Sequence, residues 1–278
     1  MKFQYLGTTA YEGIPAFFCH CENCKKSRLI GGRAIRTRSQ AIIDDTLLLD
    51  FPADTYAHTV LHDIDLLNVK YCFITHTHSD HFYPADIASL REGYGHTPDG
   101  YHLTYYGSEA VEEAIEEKIK EISSKKKTAS FCRITPFVTV KAGDYQVTAL
   151  PAIHDPKSGP LFYMIEKSGK TILYGHDTHY FNESVWEYFA KEKPYFSMVS
   201  LDCTNACLPL RYVGHMGLEE NIRVKNRMLE EGYADADTIF VCNHFSHNGI
   251  HVVYDEFAEI AGKEGFMVSY DGMVLNIT

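Results

Sequence analysis

The run Thr75-His76-Thr77-His78-Ser79-Asp80-His81 places three imidazoles and a carboxylate within six positions. Imidazole nitrogens and a carboxylate oxygen together suit Zn, Fe or Mn. In an extended segment His76, His78 and Asp80 share one face, because side chains alternate with period two, whereas His81 has the opposite parity and needs the chain to turn. Pro84, suited to the first turn of a helix, supplies a reason for that turn. Such a loop can present two ligand sets to two neighbouring cations. A chain of this composition would contain the pattern by chance roughly 0.003 times, so we read the four residues as metal ligands.

Two cations need more donors than one loop holds. His154 follows Val147-Thr148-Ala149-Leu150-Pro151-Ala152-Ile153, Asp177 follows Ile172-Leu173-Tyr174-Gly175-His176, and His244 follows Ile239-Phe240-Val241-Cys242-Asn243. Each is a polar residue where an apolar strand stops, the place where α/β sheets gather ligands. A second cluster lies near the N-terminus, where Cys19, Cys21 and Cys24 fall within six residues. Closely spaced cysteines outside an oxidising compartment are more often metal ligands than disulfide partners. Cys72 and Cys242, inside apolar runs, are expected to be inert core thiols.

The order His-x-His-x-Asp-His, then His, Asp and His on successive strand ends, resembles the metallo-β-lactamase superfamily of dinuclear hydrolases. The resemblance implies that His76, His78 and His154 serve one metal, that Asp80, His81 and His244 serve the other, and that Asp177 bridges them. It also implies a supporting role for Asp50, which ends Leu47-Leu48-Leu49, and a four-layer αββα sandwich with two mixed sheets. A narrower resemblance, through Gly7-Thr8-Thr9, Cys19-His20-Cys21-Glu22-Asn23-Cys24, Leu201-Asp202-Cys203, His215, His244-Phe245-Ser246-His247 and the closing 265–273 segment, is to the phosphoribosyl 1,2-cyclic phosphate phosphodiesterases of the carbon–phosphorus lyase pathway. The chain departs from that family at Thr9, where a second Gly is usual, and in His176 and His179, which flank Asp177. The stretch 92–135 is longer than usual and is expected to reshape the pocket mouth.

Three thiolates do not complete a tetrahedral zinc site, so a fourth ligand must come from far along the chain. His247, three residues beyond His244, is the choice that the resemblance also favours; His20, between two chelating cysteines, has little freedom to reach the same ion. The implied chemistry is phosphodiester hydrolysis, in which two divalent metals (Mn or Zn, or Fe) lower the pKa of a water and polarise the phosphoryl oxygens. Asp80 would orient that water and His215, in Val213-Gly214-His215-Met216-Gly217, would serve the leaving sugar oxygen. Arg36 and Arg38 alternate ahead of Ala41-Ile42-Ile43 and are candidates for a distal phosphate. The rival readings are a ribonuclease Z-like tRNA-processing enzyme, a lactone or thioester hydrolase, and a non-catalytic metal-binding scaffold.

These residues must be positioned by strands, and apolar runs recur at 41–43, 46–49, 71–75, 145–150, 161–165, 171–174, 196–201, 238–242, 266–270 and 273–277. Asp44-Asp45 and Gly169-Lys170 mark hairpins. Helical periodicity falls at about 84–91, 108–126, 182–191, 218–231 and 254–263. The lysines at 125–127 complement the dipole at the end of the second of these. Hairpins plus interspersed helices imply an α/β body with mixed sheets. No repeat, linker or low-complexity tract appears, so residues 1–278 read as one domain with a structural metal loop at 19–24.

The 278 residues carry 26 Lys+Arg against 37 Asp+Glu, a net charge of −11. No global attraction draws such a chain to nucleic acid or to an anionic membrane, and no apolar stretch approaches the roughly 20 residues that span a bilayer. The expectation is a cytoplasmic protein with a small-molecule phosphodiester substrate and one structural zinc; a homodimer is left open.

Overall fold

A computed structural model describes residues 1–122, 127–209 and 213–278. Its strands form two seven-stranded sheets. The first contains β1 (Lys2–Gly7), β2 (Gln40–Ile43), β3 (Leu47–Leu49), β4 (Tyr71–Phe73), β5 (Leu103–Gly107), β6 (Ala129–Arg133) and, from the far end of the chain, β14 (Val274–Asn276). Its order is β14-β1-β2-β3-β4-β5-β6. The second contains β7 (Thr139–Ala142), β8 (Tyr145–Pro151), β9 (Leu161–Lys167), β10 (Lys170–Gly175), β11 (Met198–Asp202), β12 (Ile239–Asn243) and β13 (Met267–Val268), in the order β13-β12-β11-β10-β9-β8-β7. Each sheet has an antiparallel half and a parallel half.

Strand alternation sorts the apolar residues into layers. Ala41, Ile43, Leu47, Leu49 and Phe73 face the second sheet and meet Val147, Tyr163, Ile165 and Tyr174. The intervening Ile42, Leu48 and Cys72 point the other way, into a cluster closed by Val111, Ile115 and Ile122 of α3 (Glu109–Ile122). On the far face of the second sheet a third cluster takes in α4 (Glu183–Glu192), α5 (Leu218–Glu230) and α6 (Tyr254–Lys263), through Trp186 and Phe189, Val224 and Met228, and Phe257 and Ala261. Three apolar interfaces require four layers, and the αββα sandwich follows. Two further helices lie outside that pattern, α1 (Glu22–Ile30) and α2 (Thr55–His62). No helix among the described residues is long and apolar enough to cross a membrane.

All ten expected apolar runs contain strands, and the hairpin residues Asp44 and Asp45 take the left-handed backbone at φ 49° and 54°. Residues 84–90 form a 3₁₀ helix opened by Pro84 where a helical pattern was expected. The sequence reading missed α1, whose buried residues are only Cys24 and Ser27 and which therefore lacks an apolar stripe. It also missed α2 and β5 to β7 and did not count β1 among the apolar runs; β7 is an edge strand with alternating exposed and half-buried positions and no apolar run. The helix expected to reach residue 126 is described to Ile122, so Lys125 and Lys126 lie outside the described residues. Buried Cys72 and Cys242 agree with the core reading.

Phe189 is fully buried among Trp186, Phe196 and Tyr233. Phe189→Ala is expected to lower the unfolding free energy by about 3–5 kcal/mol, and Leu29→Ala, on an exposed face, by no more than about 0.5 kcal/mol. Equilibrium denaturation of the two variants checks the layer assignment.

Candidate metal centres

The parallel strand ends deliver the donors to one edge of the sandwich. Asp50 follows β3, His76 follows β4, Asp177 follows β10 and His244 follows β12. Asp50, Asp177 and His244 all take the left-handed backbone, at φ 66°, 47° and 62°, which turns each side chain inward as the strand stops. The turn required after β4 is present, since His81 N–H and Phe82 N–H both donate to the His78 carbonyl, at 2.9 and 2.8 Å. That turn folds His81 onto His76 and carries Asp80 away from the face it would share with His76 and His78 in an extended chain.

Donor atoms of His76, His78, His154 and Asp177 lie within 4.8 Å of one another, as do those of Asp80, His81, Asp177 and His244. Asp177 is common to both groups: its Oδ2 is 3.1 Å from His76 Nε2 and 3.1 Å from His81 Nε2, and its Oδ1 is 2.9 Å from His244 Nε2. The structure thus brings together all seven residues expected at the dinuclear site, in the two expected sets.

Each imidazole has its other nitrogen committed to an acceptor. His81 Nδ1–H donates to Asp50 Oδ2 at 2.7 Å, and His244 Nδ1–H to Thr204 Oγ1 at 2.9 Å. His154 Nδ1–H donates to the Gly214 carbonyl at 3.2 Å, and His78 Nε2–H to Asp155 at 3.4 Å. His76 Nδ1 meets Thr75 Oγ1 at 3.0 Å, whose own hydrogen goes to Asp50 Oδ1 at 2.8 Å. Outer partners of this kind fix the tautomer of a metal-binding histidine.

The inward nitrogens are consequently left facing one another. His81 Nε2 and His244 Nε2 stand 3.1 Å apart, and His154 Nε2 is 3.1 Å from His78 Nδ1. His76 Nε2 and Asp177 Oδ1 are buried, and despite their 3.1 Å and 2.9 Å contacts with Asp177 Oδ2 and His244 Nε2 neither meets hydrogen-bond geometry. A buried atom of that kind is costly unless a cation satisfies it, so the donor set fits a pair of divalent ions. Electrostatics agree. Burial opposes charge on His81 and His244, yet the carboxylates around them win, holding His81 well above the ordinary imidazole range and His244 up to about 10. Burial also opposes charge on Asp177, but His244 and His81 hold it well below the usual carboxylate range. The field that keeps protons there also attracts cations.

His215 lines the same cavity, with Nδ1 2.8 Å from Asp202 Oδ2 and 3.8 Å from Asp177 Oδ1. Burial lowers its pKa, but Asp202 outweighs that and the net shift is upward. The cavity holds about 390 Å³, and His78, Asp80, His154, Asp177 and His244 contribute to its lining. The sequence reading gave no role to Asp202 or to Thr204. The signal was available for Asp202: it ends an apolar strand, Met198–Asp202, as Asp50 ends Leu47-Leu48-Leu49. None of the described residues of 92–135 lines the cavity where a reshaped mouth was expected; among them that stretch builds β5, α3 and β6. Arg36 is buried, donating to Thr8 Oγ1 and the Ser269 carbonyl, and Arg38 pairs with Asp54 at 3.1 Å. Neither lines the cavity. His176 bonds Ser200 Oγ at 2.7 Å behind the site.

A second donor group forms where α1 begins. Cys19, Cys21, Cys24 and His247 present their ligand atoms within 4.8 Å, with His247 Nδ1 3.5 Å from both Cys19 Sγ and Cys21 Sγ. Three backbone N–H groups donate to the sulfurs: Cys21 to Cys19, Cys24 to Cys21, and Ala16 to Cys24. The Cys21 N–H lowers the Cys19 pKa, while burial pushes Cys24 up to about 12. Three sulfurs and one imidazole are a donor set suited to tetrahedral zinc. His20 is exposed and outside the group.

Residues 48–232, more than half of the chain, match the sequence model of the Beta-lactamase superfamily domain. The chain belongs to that superfamily. Its fold is similar to that of Zn(2+)-bound PqqB from Methylobacterium extorquens, at a TM-score of 0.74 and 18% identity over 99% of this chain and 100% of that one. A diphosphatase of the PhnP family gives 0.74 and 17% over 100% and 98%, and the short form of human tRNase Z gives 0.66 and 14% over 100% of both chains. No curated protein sequence matches.

Two substitutions separate the centres. Asp177→Ala is expected to lower metal content at both histidine groups, because one carboxylate serves both; two ions retained there in metal analysis would refute the shared role. Cys21→Ser is expected to remove about one zinc per chain and lower the melting temperature, since metal binding to such a cluster contributes folding free energy. Unchanged zinc and melting temperature would return the cluster to ordinary thiols.

Proposed function

We propose that this metal-dependent hydrolase of the beta-lactamase superfamily opens a small cyclic sugar phosphate, phosphoribosyl 1,2-cyclic phosphate being the type of substrate. The observation that carries the reading is Asp177, a single carboxylate meeting imidazoles of both donor groups, with Asp202-braced His215 beside it on the wall of a cavity of about 390 Å³. A cavity of that size suits a small molecule. The net charge of −11 opposes an RNA substrate. The Cys19, Cys21, Cys24 and His247 group supports the narrower resemblance noted in the sequence, with one structural zinc, and free thiols throughout favour a cytoplasmic setting.

His76, His78 and His154 would hold one divalent ion, Asp80, His81 and His244 the other, with Asp177 between them. When bound, such a pair supplies Lewis acidity and a water acidic enough to ionise near neutral pH. Asp80 Oδ2, 3.7 Å from His81 Nε2 and 3.8 Å from His244 Nε2, is placed to accept a hydrogen bond from that water. The oxygen of a water that has released one proton to solvent would add to phosphorus as one P–O bond to the sugar breaks, and the departing oxygen would take its proton from His215, which solvent then reprotonates. Asp202 holds the His215 ring by Nδ1, so Nε2 is the nitrogen left to meet the substrate.

The direct test is a phosphodiester panel under Mn and Zn: ribose cyclic phosphates, 2′,3′-cyclic nucleotides, a bis-aryl phosphate and a tRNA precursor. Cleavage confined to the tRNA would overturn the reading. His215→Ala is expected to lose about 10²–10⁴ in rate on a ribose cyclic phosphate, whose leaving alkoxide needs the proton, and far less on an activated aryl diester. Equal losses on both substrates would assign His215 to phosphate binding.

A further inference from the structure

One wall of the cavity is built by the turn Ala10–Gly13, which contributes Tyr11 and Glu12 to the lining. Gly13 N–H donates to the Ala10 carbonyl at 3.2 Å, and Gly13 takes φ 72°, so the turn is tight. Three separate contacts hold it in place. Arg38 Nε–H donates to the Tyr11 carbonyl at 2.9 Å while its guanidinium lies 5.4 Å from the Tyr11 ring. Ala10 N–H donates to the Phe245 carbonyl at 3.0 Å. Glu12 Oε1 stands 3.9 Å from Nε2 of His247, whose Nδ1 faces the cysteine sulfurs. The sequence reading gave this turn no role.

A carboxylate is a poor wall for a phosphodiester anion, because like charges repel, and a good one for hydroxyl groups, which donate strong hydrogen bonds to it. Tyr11, 56% exposed, offers an aromatic face beside it, the surface on which the C–H face of a sugar ring packs. We infer that Glu12 is a specificity-determining residue: it accepts a hydrogen bond from the free 3-hydroxyl of the substrate's ribose while the phosphodiester lies toward Asp177, with Tyr11 covering the ring. The assignment rests on the reaction proposed above and adds the group that reads the non-reacting side of the substrate. The 3.9 Å approach of Glu12 Oε1 to His247 Nε2 places the recognition turn beside the cysteine cluster.

The test crosses the protein with the substrate. Ribose 1,2-cyclic phosphate and its 3-deoxy analogue are compared on wild type, Glu12→Gln and Glu12→Ala, with metal content measured for each. Losing a hydrogen bond to a carboxylate costs about 10- to 100-fold in affinity. Glu12→Ala should raise KM by about that factor with kcat changed far less, and Glu12→Gln, which keeps one acceptor, should recover part of it. On wild type the 3-deoxy analogue should suffer the same penalty, and on Glu12→Ala no further penalty. Losses that multiply, a loss confined to kcat, or zinc lost from Glu12→Ala together with an equal decline on both substrates would each overturn the assignment. If wild type opens ribose 1,2-cyclic phosphate and the 3-deoxy analogue equally well, only the role of Glu12 fails. If it opens neither, the proposed reaction fails and Glu12 with it.

Discussion

Five imidazoles that have each given one N–H outward turn their second nitrogens toward one another and toward Asp177, and the rest of the architecture holds that arrangement closed. Left alone it is unfavourable: nitrogen faces nitrogen at 3.1 Å twice, and two buried donor-set atoms have no hydrogen-bond partner. The outward partners are what prevent relaxation. A ring free to flip could turn a protonated nitrogen inward, but His81 would then abandon Asp50, and His154 the Gly214 carbonyl. Each escape strands a buried polar group, which costs about 1–3 kcal/mol. The protein therefore carries the repulsion in its folded frame, and a divalent cation is the species that removes it.

That frame is rigid for a reason visible in the sheets. The ligands leave from strand ends whose inward faces are packed between two sheets, so their backbone positions are set by Phe73, Tyr163 and Tyr174 and by the ladders on either side. Left-handed backbone at Asp50, Asp177 and His244 is tolerable only because the strands before them are fixed. Asp50 shows the economy of the design. One carboxylate oxygen takes Thr75 N–H and the Thr75 hydroxyl, which in turn receives His76, while the other takes His81. A single buried side chain thus orients a histidine in each donor group.

The donor types were legible in the sequence because their spacing departs from what a strand or helix needs for packing. Four candidate ligands in six positions have no structural explanation, and His154, Asp177 and His244 stand out as polar endings of apolar runs. Asp202 carries the same signature as Asp50 and could have been read. Thr204, Asp155 and the Gly214 carbonyl could not, because a hydroxyl, a loop acid and a backbone oxygen acquire their roles only when folding sets a particular ring beside them. Arg36 and Arg38 show the opposite failure. Alternation put them on one face, but Arg36 is stacked over Phe245, with its guanidinium 4.4 Å from the ring, and Arg38 is held by Asp54, contacts that depend on residues far away in the chain. The fold followed the same rule: long apolar strands were plain, whereas α1, organised by cysteines and not by an apolar stripe, was invisible to periodicity.

The two donor groups are joined by the shortest possible route. His244 belongs to the histidine group and His247 to the cysteine group, with only Phe245 and Ser246 between them. Phe245 is fully buried, packs against Phe257 of α6, and pairs with the chain on both sides of Thr9, its N–H donating to the Thr8 carbonyl and its carbonyl accepting from Ala10 N–H. Ser246 lines the cavity. A shift of the cysteine cluster would therefore move His247, and through two residues with little freedom it would reach both the cavity wall and His244. The N-terminal segment from Thr8 to Cys24 is laced to this tetrad at Phe245 and at His247, so the cluster fixes one wall of the cavity relative to its floor. That requirement gives a reason for metal-donor chemistry at this position: the segment between Gly13 and Cys24 offers few buried apolar side chains, and four converging ligands can hold what packing alone does not.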